Sequence, residues 1–322
     1  MSDHRKILIT PTYYSERCIE AKSLLIKKGY QLIENKSDKP FFSFEKLKEI
    51  MPEIDGVVAG LDDWNESIYK IAKKLKIIAR FGIGVDNIDL VNAKKYGIKI
   101  TNAKGKNANA VAELTISFML GILRNVTALN TSVKSGLWER FIGYELDGKN
   151  IGLVGFGAIS QSVAKKLACF GVNIFAYDKY PNLDIAKKLN VKMVSFEEIL
   201  KNCDIVSLHV PSTKETYHMM GKEQFNMMKD DAYFINTARG ALVDEKALYN
   251  ALTTQKLTMA AIDVYENEPT TLENPLLKLD NLICTPHTAA ETYEAYNALG
   301  NTTAQALIDV FEGEIPENLL NP

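Results

Sequence analysis

From Lys149 to Asp178 the chain reads KNIGLVGFGAISQSVAKKLACFGVNIFAYD, and no other stretch restricts the possible folds as strongly. Ile151–Val154 is a short apolar run of the kind buried in a parallel sheet. Gly155-Phe156-Gly157 then permits a sharp turn and a close approach of backbone to a ligand. A helical pattern starts at Ala158, with Ile159, Val163, Leu167 and Phe170 on one side, and Gly171 marks its end. Asn173–Tyr177 reads as the next strand, and Asp178 sits at its carboxyl end. Strand, glycine turn, helix and strand form a βαβ unit suited to a dinucleotide.

Each residue type has a physical reason. A pyrophosphate at a helix N-terminus meets unpaired N–H groups and the positive end of the helix dipole. Gly155 and Gly157 remove the Cβ atoms that would hold the phosphate away. Asp178 follows Gly157 by 21 residues, can accept hydrogen bonds from a ribose 2′-OH and would repel a 2′-phosphate, so NAD is expected over NADP. The third glycine position of the fingerprint is occupied by Ser160.

With 322 residues, two domains are expected. A net charge of −2 without a basic run argues against nucleic acid and against an anionic membrane surface. Cys18, Cys169, Cys203 and Cys284 form no CxxC pair and read as fillers in a reducing compartment; no metal site is expected. The opening MSDHRKILIT enters a strand directly and Ala110–Leu123 is too short to span a bilayer, which predicts a cytoplasmic protein.

Residues 1–102 alternate strand and helix patterns, with strands expected at Lys6–Thr10, Tyr30–Ile33, Gly56–Gly60, Lys76–Arg80 and Lys99–Asn102. Helical patterns fall at Ser15–Lys28, Ser43–Ile50, Glu66–Lys73 and Leu90–Lys95, so a flavodoxin-like parallel α/β domain is expected. Asn107–Val133 reads as one long helix that bridges domains or meets another subunit. After Asp178 further strands are expected at Lys192–Val194, Asp204–His209, Ala232–Thr237, Ala260–Val264 and Leu282–Thr285. With the two strands of the glycine-rich unit they give a doubly wound sheet of seven. The last helix, Ala290–Phe311, has no sheet of its own and is expected to return to the first domain. The fold class is therefore α/β with two doubly wound parallel-sheet domains. One is a Rossmann NAD-binding domain at 103–289; the other is a discontinuous flavodoxin-like substrate domain at 1–102 plus 290–322.

Hydride transfer to a carbonyl needs a proton carrier and a cation for the substrate carboxylate. Of the four histidines, His4 lies in the N-terminal tail and His218 in a polar loop, while His209 and His287 sit at strand ends. That sheet edge is where open α/β folds bind ligands. A histidine there is as often a structural residue, but Glu268, in the loop after Ala260–Val264, can reach His287. A carboxylate partner favours the imidazolium and fixes the tautomer. Arg239, directly after a strand in Asn236-Thr-Ala-Arg-Gly240, can take a carboxylate bidentately; otherwise it is a surface arginine in a turn.

The runs GLVGFGAIS, AYD, LHVP, NTARGALVDEKAL, DVYENEP and TPHTAA, with RFGIGVDNIDL and NANAVAELT earlier, resemble the D-isomer-specific 2-hydroxyacid dehydrogenases, including their phosphoglycerate dehydrogenase-like members. The resemblance implies catalytic roles for Arg239 (carboxylate), His287 (acid/base) and Glu268 (support of His287). It implies NAD contacts from Gly155, Gly157, Ala158, Ile159 and Asp178, and from the turn His209, Val210 and Pro211 with Thr216. Thr237, Ala238, Arg239, Asp263, His287, Ala289 and Ala290 complete that set, with Asp263 on the nicotinamide amide. Backbone N–H groups of Gly82, Ile83 and Gly84 would meet the substrate carboxylate. A homodimer formed through the 107–133 helix and the 136–140 region is implied as well.

Phosphoglycerate dehydrogenases carry a basic residue near the Gly60 position, whereas here the run is Val58-Ala-Gly60-Leu-Asp62-Asp63. The acid therefore stays open between D-3-phosphoglycerate and hydroxypyruvate, glyoxylate or another 2-keto acid. Formate or phosphite oxidation on the same scaffold is a further alternative, and Glu268 disfavours formate. A NAD-sensing, corepressor-like binding protein is the alternative from another class.

Overall fold

The computed structural model describes residues 5–36 and 41–322; His4 lies outside them. The chain divides into two compact units, Met1–Asn107 with Glu291–Pro322, and Ala108–Ala290.

The first unit holds five strands: β1 (Lys6–Ile9), β2 (Gln31–Glu34), β3 (Gly56–Ala59), β4 (Ile77–Arg80) and β5 (Lys99–Thr101). All pair in parallel in the order β2-β1-β3-β4-β5, the flavodoxin-like arrangement. Crossover helices begin where polar side chains cap them: Ser43, Asn65 and Asp89 accept from the N–H groups of Lys46, Ser67 and Asn92. The expected helix over Ser15–Lys28 is two helices, Tyr14–Arg17 and Ile19–Lys27. The break is at Cys18, whose backbone leaves the helical region at φ −110, ψ 48.

The helix Tyr293–Glu312 returns to this sheet and packs on β3 and β4. A Cβ on Gly56 would lie 2.6 Å from the end of Leu307 and 2.8 Å from the end of Phe311, so a larger residue would have to displace both side chains. The segment beyond the helix then borders β5. Leu320 N–H donates to Ile100 O (2.8 Å), while Asn321 accepts from Ile100 N–H (2.8 Å) and donates to Ile98 O (2.8 Å).

The second unit contains β6 (Asn150–Val154), β7 (Asn173–Tyr177), β8 (Lys192–Met193), β9 (Ile205–Leu208), β10 (Ala232–Asn236), β11 (Leu257–Ile262) and β12 (Leu282–Cys284). These seven parallel strands run in the order β12-β11-β10-β9-β6-β7-β8. The order reverses at β6, which places a crevice beside its carboxyl end. Apolar residues fill both faces, as a doubly covered parallel sheet requires.

The single long helix expected over Asn107–Val133 is two helices, Ala108–Leu123 and Val126–Lys134, bent by 65°. Asn125 adopts the left-handed conformation (φ 51), which asparagine tolerates better than most residues. Tyr144 N–H then takes Leu123 O at 2.9 Å, in place of the next turn of helix. Gly143 permits this, since a Cβ there would sit 2.5 Å from Leu123 O. Among the described residues no single helix is long and apolar enough to cross a membrane.

Candidate active site

The glycine turn connects β6 to the helix Ala158–Leu167. Gly155 has φ 96, and its N–H donates to Tyr177 O at 2.7 Å. A Cβ there would approach His209 O to 2.7 Å and Val210 to 2.9 Å, so this glycine is required by the neighbouring loop. Gly157 faces open space instead, which leaves the helix N-terminus accessible to a phosphate. The first N–H groups of that helix, including those of Ala158 and Ile159, have no partner within it.

Ser160 is fully buried, and its Oγ donates to Gly155 O at 2.5 Å. The departure from glycine therefore adds a bond that ties helix to turn. Asp178 accepts from Phe156 N–H (2.7 Å) and Tyr180 N–H (2.8 Å). Its carboxylate thus braces the glycine turn from the end of β7 while keeping lone pairs for further donors. These features fit a dinucleotide.

Three segments meet around the carboxyl ends of β10, β11 and β12. Glu268 Oε2 lies 2.6 Å from His287 Nδ1, while Oε1 accepts from Tyr265 N–H at 2.9 Å. Burial works to raise the Glu268 pKa, but the bond and charge of His287, the Tyr265 N–H and the Arg239 charge outweigh it and hold the carboxyl below its ordinary value. With Nδ1 engaged, the half-exposed ring of His287 keeps Nε2 for a ligand.

His287 has φ 56, a conformation that needs support in a non-glycine residue. Asp263 supplies it. Its carbonyl accepts from His287 N–H (2.8 Å), and its buried carboxylate accepts from Thr285 Oγ1 (2.5 Å), Thr288 N–H (2.9 Å) and Ala289 N–H (2.9 Å). The acid expected at a nicotinamide amide anchors the loop from Thr285 to Ala289.

Arg239 is partly buried and extended, with Nη1 donating to Ala238 O at 2.6 Å. Asn236 shapes its turn by donating to Arg239 O (2.8 Å) and accepting from Ala238 N–H (3.0 Å). Thr237 is buried and pairs with Thr115 at 3.0 Å. Gly240 lets this turn pack on the Glu268 segment, because a Cβ would fall 1.9 Å from the Tyr265 carbonyl.

The remaining expected residues sort by environment. His209 Nε2 lies 3.0 Å from Ser207 Oγ, and burial pushes its pKa down to about 4, which suits a neutral structural ring. Thr216 Oγ1 donates to Pro211 O (2.8 Å) and folds the His209–Pro211 turn back on itself. Gly82, Ile83 and Gly84 belong to the first unit, where Arg80 holds their loop by donating to Gly84 O (3.0 Å) and Phe81 O (2.8 Å). Gly82 N–H is itself taken by Arg80 O (2.9 Å), so it is not available to a carboxylate; Ile83 and Gly84 are the candidate donors of the loop. Sequence reasoning missed Glu245 and Glu266, although both fall inside the runs NTARGALVDEKAL and DVYENEP.

Fold, glycine turn and strand-edge His–Glu pair define a dinucleotide-binding α/β protein of the dehydrogenase type. Residues 116–289 match the family model described as D-isomer specific 2-hydroxyacid dehydrogenase, NAD binding domain. Similarity to D-3-phosphoglycerate dehydrogenase of Methanocaldococcus jannaschii is 44% identity over 86% of this chain and 53% of that protein, so the chain spans about half its length. Glyoxylate reductase of Thermococcus litoralis is 40% identical over 85% of this chain and 86% of that protein. Among solved structures, apo D-lactate dehydrogenase from Escherichia coli matches with a TM-score of 0.86 and 29% identity, covering 98% of this chain and 99% of that one. The chain belongs to the D-isomer-specific 2-hydroxyacid dehydrogenase family.

Proposed function

We propose that the protein is a NAD-dependent oxidoreductase that interconverts D-2-hydroxy acids and 2-keto acids. The observation that carries this reading is the 2.6 Å contact between Glu268 Oε2 and His287 Nδ1 at a sheet edge that also bears Arg239. NADH, when bound, supplies the hydride to the keto carbon. Arg239 binds and orients the substrate carboxylate. Protonated His287 donates from Nε2 to the keto oxygen, and Glu268 stabilises the imidazolium and fixes the ring. Oxidation of the hydroxy acid runs the same proton path in reverse.

The test is a panel of glyoxylate, hydroxypyruvate, pyruvate and 3-phosphohydroxypyruvate with NADH. We expect the unphosphorylated acids to be reduced fastest. What supports this is the acidic corner after β3, where buried Asp62 accepts from Thr10 Oγ1 and from Phe42 N–H (2.6 Å) and Asp63 is exposed. That run carries acids where phosphoglycerate dehydrogenases carry a basic residue. Turnover confined to 3-phosphohydroxypyruvate would instead assign a phosphoglycerate dehydrogenase. Tight NADH binding without turnover of any acid would replace the enzymatic reading by a NAD-sensing binding protein.

We also propose a cytoplasmic homodimer. Its support is the apolar surface over Val133, Leu137, Trp138, Phe141, Ile142 and Tyr144, where Trp138 is 77% and Ile142 97% exposed. The cysteines are unpaired, as a reducing compartment would have them.

A further inference from the structure

Glu268 reaches His287 from a short strap, Tyr265–Pro269, which lies beyond β11 and has no sheet pairing of its own. Side chains elsewhere must therefore fix it, and the strongest attachment is reciprocal. Glu266 N–H donates to Glu245 Oε1 at 2.8 Å, and Glu245 N–H donates to Glu266 Oε1 at 2.9 Å. Glu245 opens the helix Glu245–Thr253, so both carboxylates lie at the positive end of its dipole. The other oxygen of Glu245 accepts from Asn274 Nδ2 (2.9 Å), beyond the far end of the strap. His218 Nε2 stands 3.2 Å from Glu266 Oε1, although the angle is too poor for a hydrogen bond. Tyr265 OH donates to Thr285 O at 3.1 Å, next to the His287 loop.

We propose that Glu245, acting through Glu266, is a positioning residue that holds the strap and thereby aims Glu268 at His287. The inference rests on the acid–base reading of that pair. Without the clamp, Glu268 spends part of its time away from the imidazole, and the imidazolium loses its nearest counter-charge. The groups around His287 outside the strap stay in place: Asp263, Arg239 beside Glu268, and Cys284, whose pKa burial raises; Tyr265, also raised by burial, moves with the strap. On the clamp itself the titratable neighbours are Glu266, the His218 ring and Cys284.

The experiment is a pH profile of kcat for 2-keto acid reduction in the full chain with saturating NADH. Reduction takes a proton from His287, so activity falls on the alkaline side of the profile. Glu245→Ala should lower kcat about tenfold and move that alkaline limb to lower pH, as expected when a carboxylate partner is loosened. Glu245→Gln keeps one acceptor oxygen and should restore most of both effects. Glu245→Asp, which is too short to reach both anchors, should give a smaller shift in the same direction and carries the test if the alanine variant does not fold. An alkaline limb that stays in place, whether or not kcat drops, overturns the proposal, as does a glutamine variant as impaired as the alanine one. His287→Ala measured alongside separates the two readings. If it is fully active the acid–base assignment has failed, whereas an inactive His287→Ala with an unmoved Glu245→Ala profile removes only the positioning role.

Discussion

At the residue scale the chemistry rests on few side chains, and each makes a separable prediction. Loss of the proton carrier in His287→Ala should lower kcat by about 10²–10⁴-fold; a change of only a few-fold in steady-state assays would remove His287 from the mechanism. Arg239→Lys keeps the charge but loses the planar fork, so KM for the keto acid should rise and kcat fall. Asp178 should give NADH at least about a tenfold advantage over NADPH in kcat/KM, and parity would sink that assignment. Because Asp178 also braces Phe156 and Tyr180, its replacement by alanine should weaken NADH binding before it improves NADPH binding. His209 offers a pH test of stability. Its folded pKa of about 4 lies below its ordinary 6.5. Between those values the unfolded chain binds a proton that the native chain refuses, so stability falls as pH drops through that window, by no more than about 3 kcal/mol. His209→Gln should flatten the decline in melting temperature from pH 6.5 to 4; parallel curves would show another group to be responsible. Arg239, Glu268 and His287 were legible as candidates because strand ends and charge are visible in one dimension. Glu245 was not, because its partners Glu266 and Asn274 are side-chain-to-backbone and side-chain contacts between segments far apart in sequence.

At the scale of elements, the strands were legible because β-branched and apolar runs alternate with capped helices, and both sheets follow from that alternation. The break at Asn125 was not legible, since no proline or glycine marks it and the apolar stripe continues past it. What accommodates the break is Gly143, 18 residues downstream, whose missing Cβ makes room for the Tyr144 N–H at Leu123 O. Asn125→Ala should therefore destabilise the protein by about 1–2 kcal/mol in urea unfolding, the cost of the left-handed conformation without asparagine. No loss of stability would mean that the bend relaxes into a straight helix. Ser160 is the opposite case, where the residue was visible but its use was not. Its hydroxyl bond to Gly155 O makes serine a working substitute for the fingerprint glycine.

At the scale of the whole molecule, the exposed aromatic and aliphatic surface around Trp138 and Ile142 is larger than isolated surface residues would explain. Trp138→Glu combined with Ile142→Glu should convert a dimer to monomers in sedimentation velocity; an unchanged sedimentation coefficient would place the interface elsewhere. The division into units was legible from the glycine turn standing mid-chain with a helix left over at the end, while the pairing of residues 320–321 with β5 left no pattern to read. That closing segment bears on the order in which the protein folds. The second unit is one continuous stretch, whereas the first needs residues from both sides of it, the helix Tyr293–Glu312 included. The five-stranded sheet keeps the surface around Gly56 and the edge of β5 uncovered until that helix and residues 320–321 have docked on it. The sheet begun before the glycine turn is thus finished only after it, and it is the sheet that stays incomplete longer during folding.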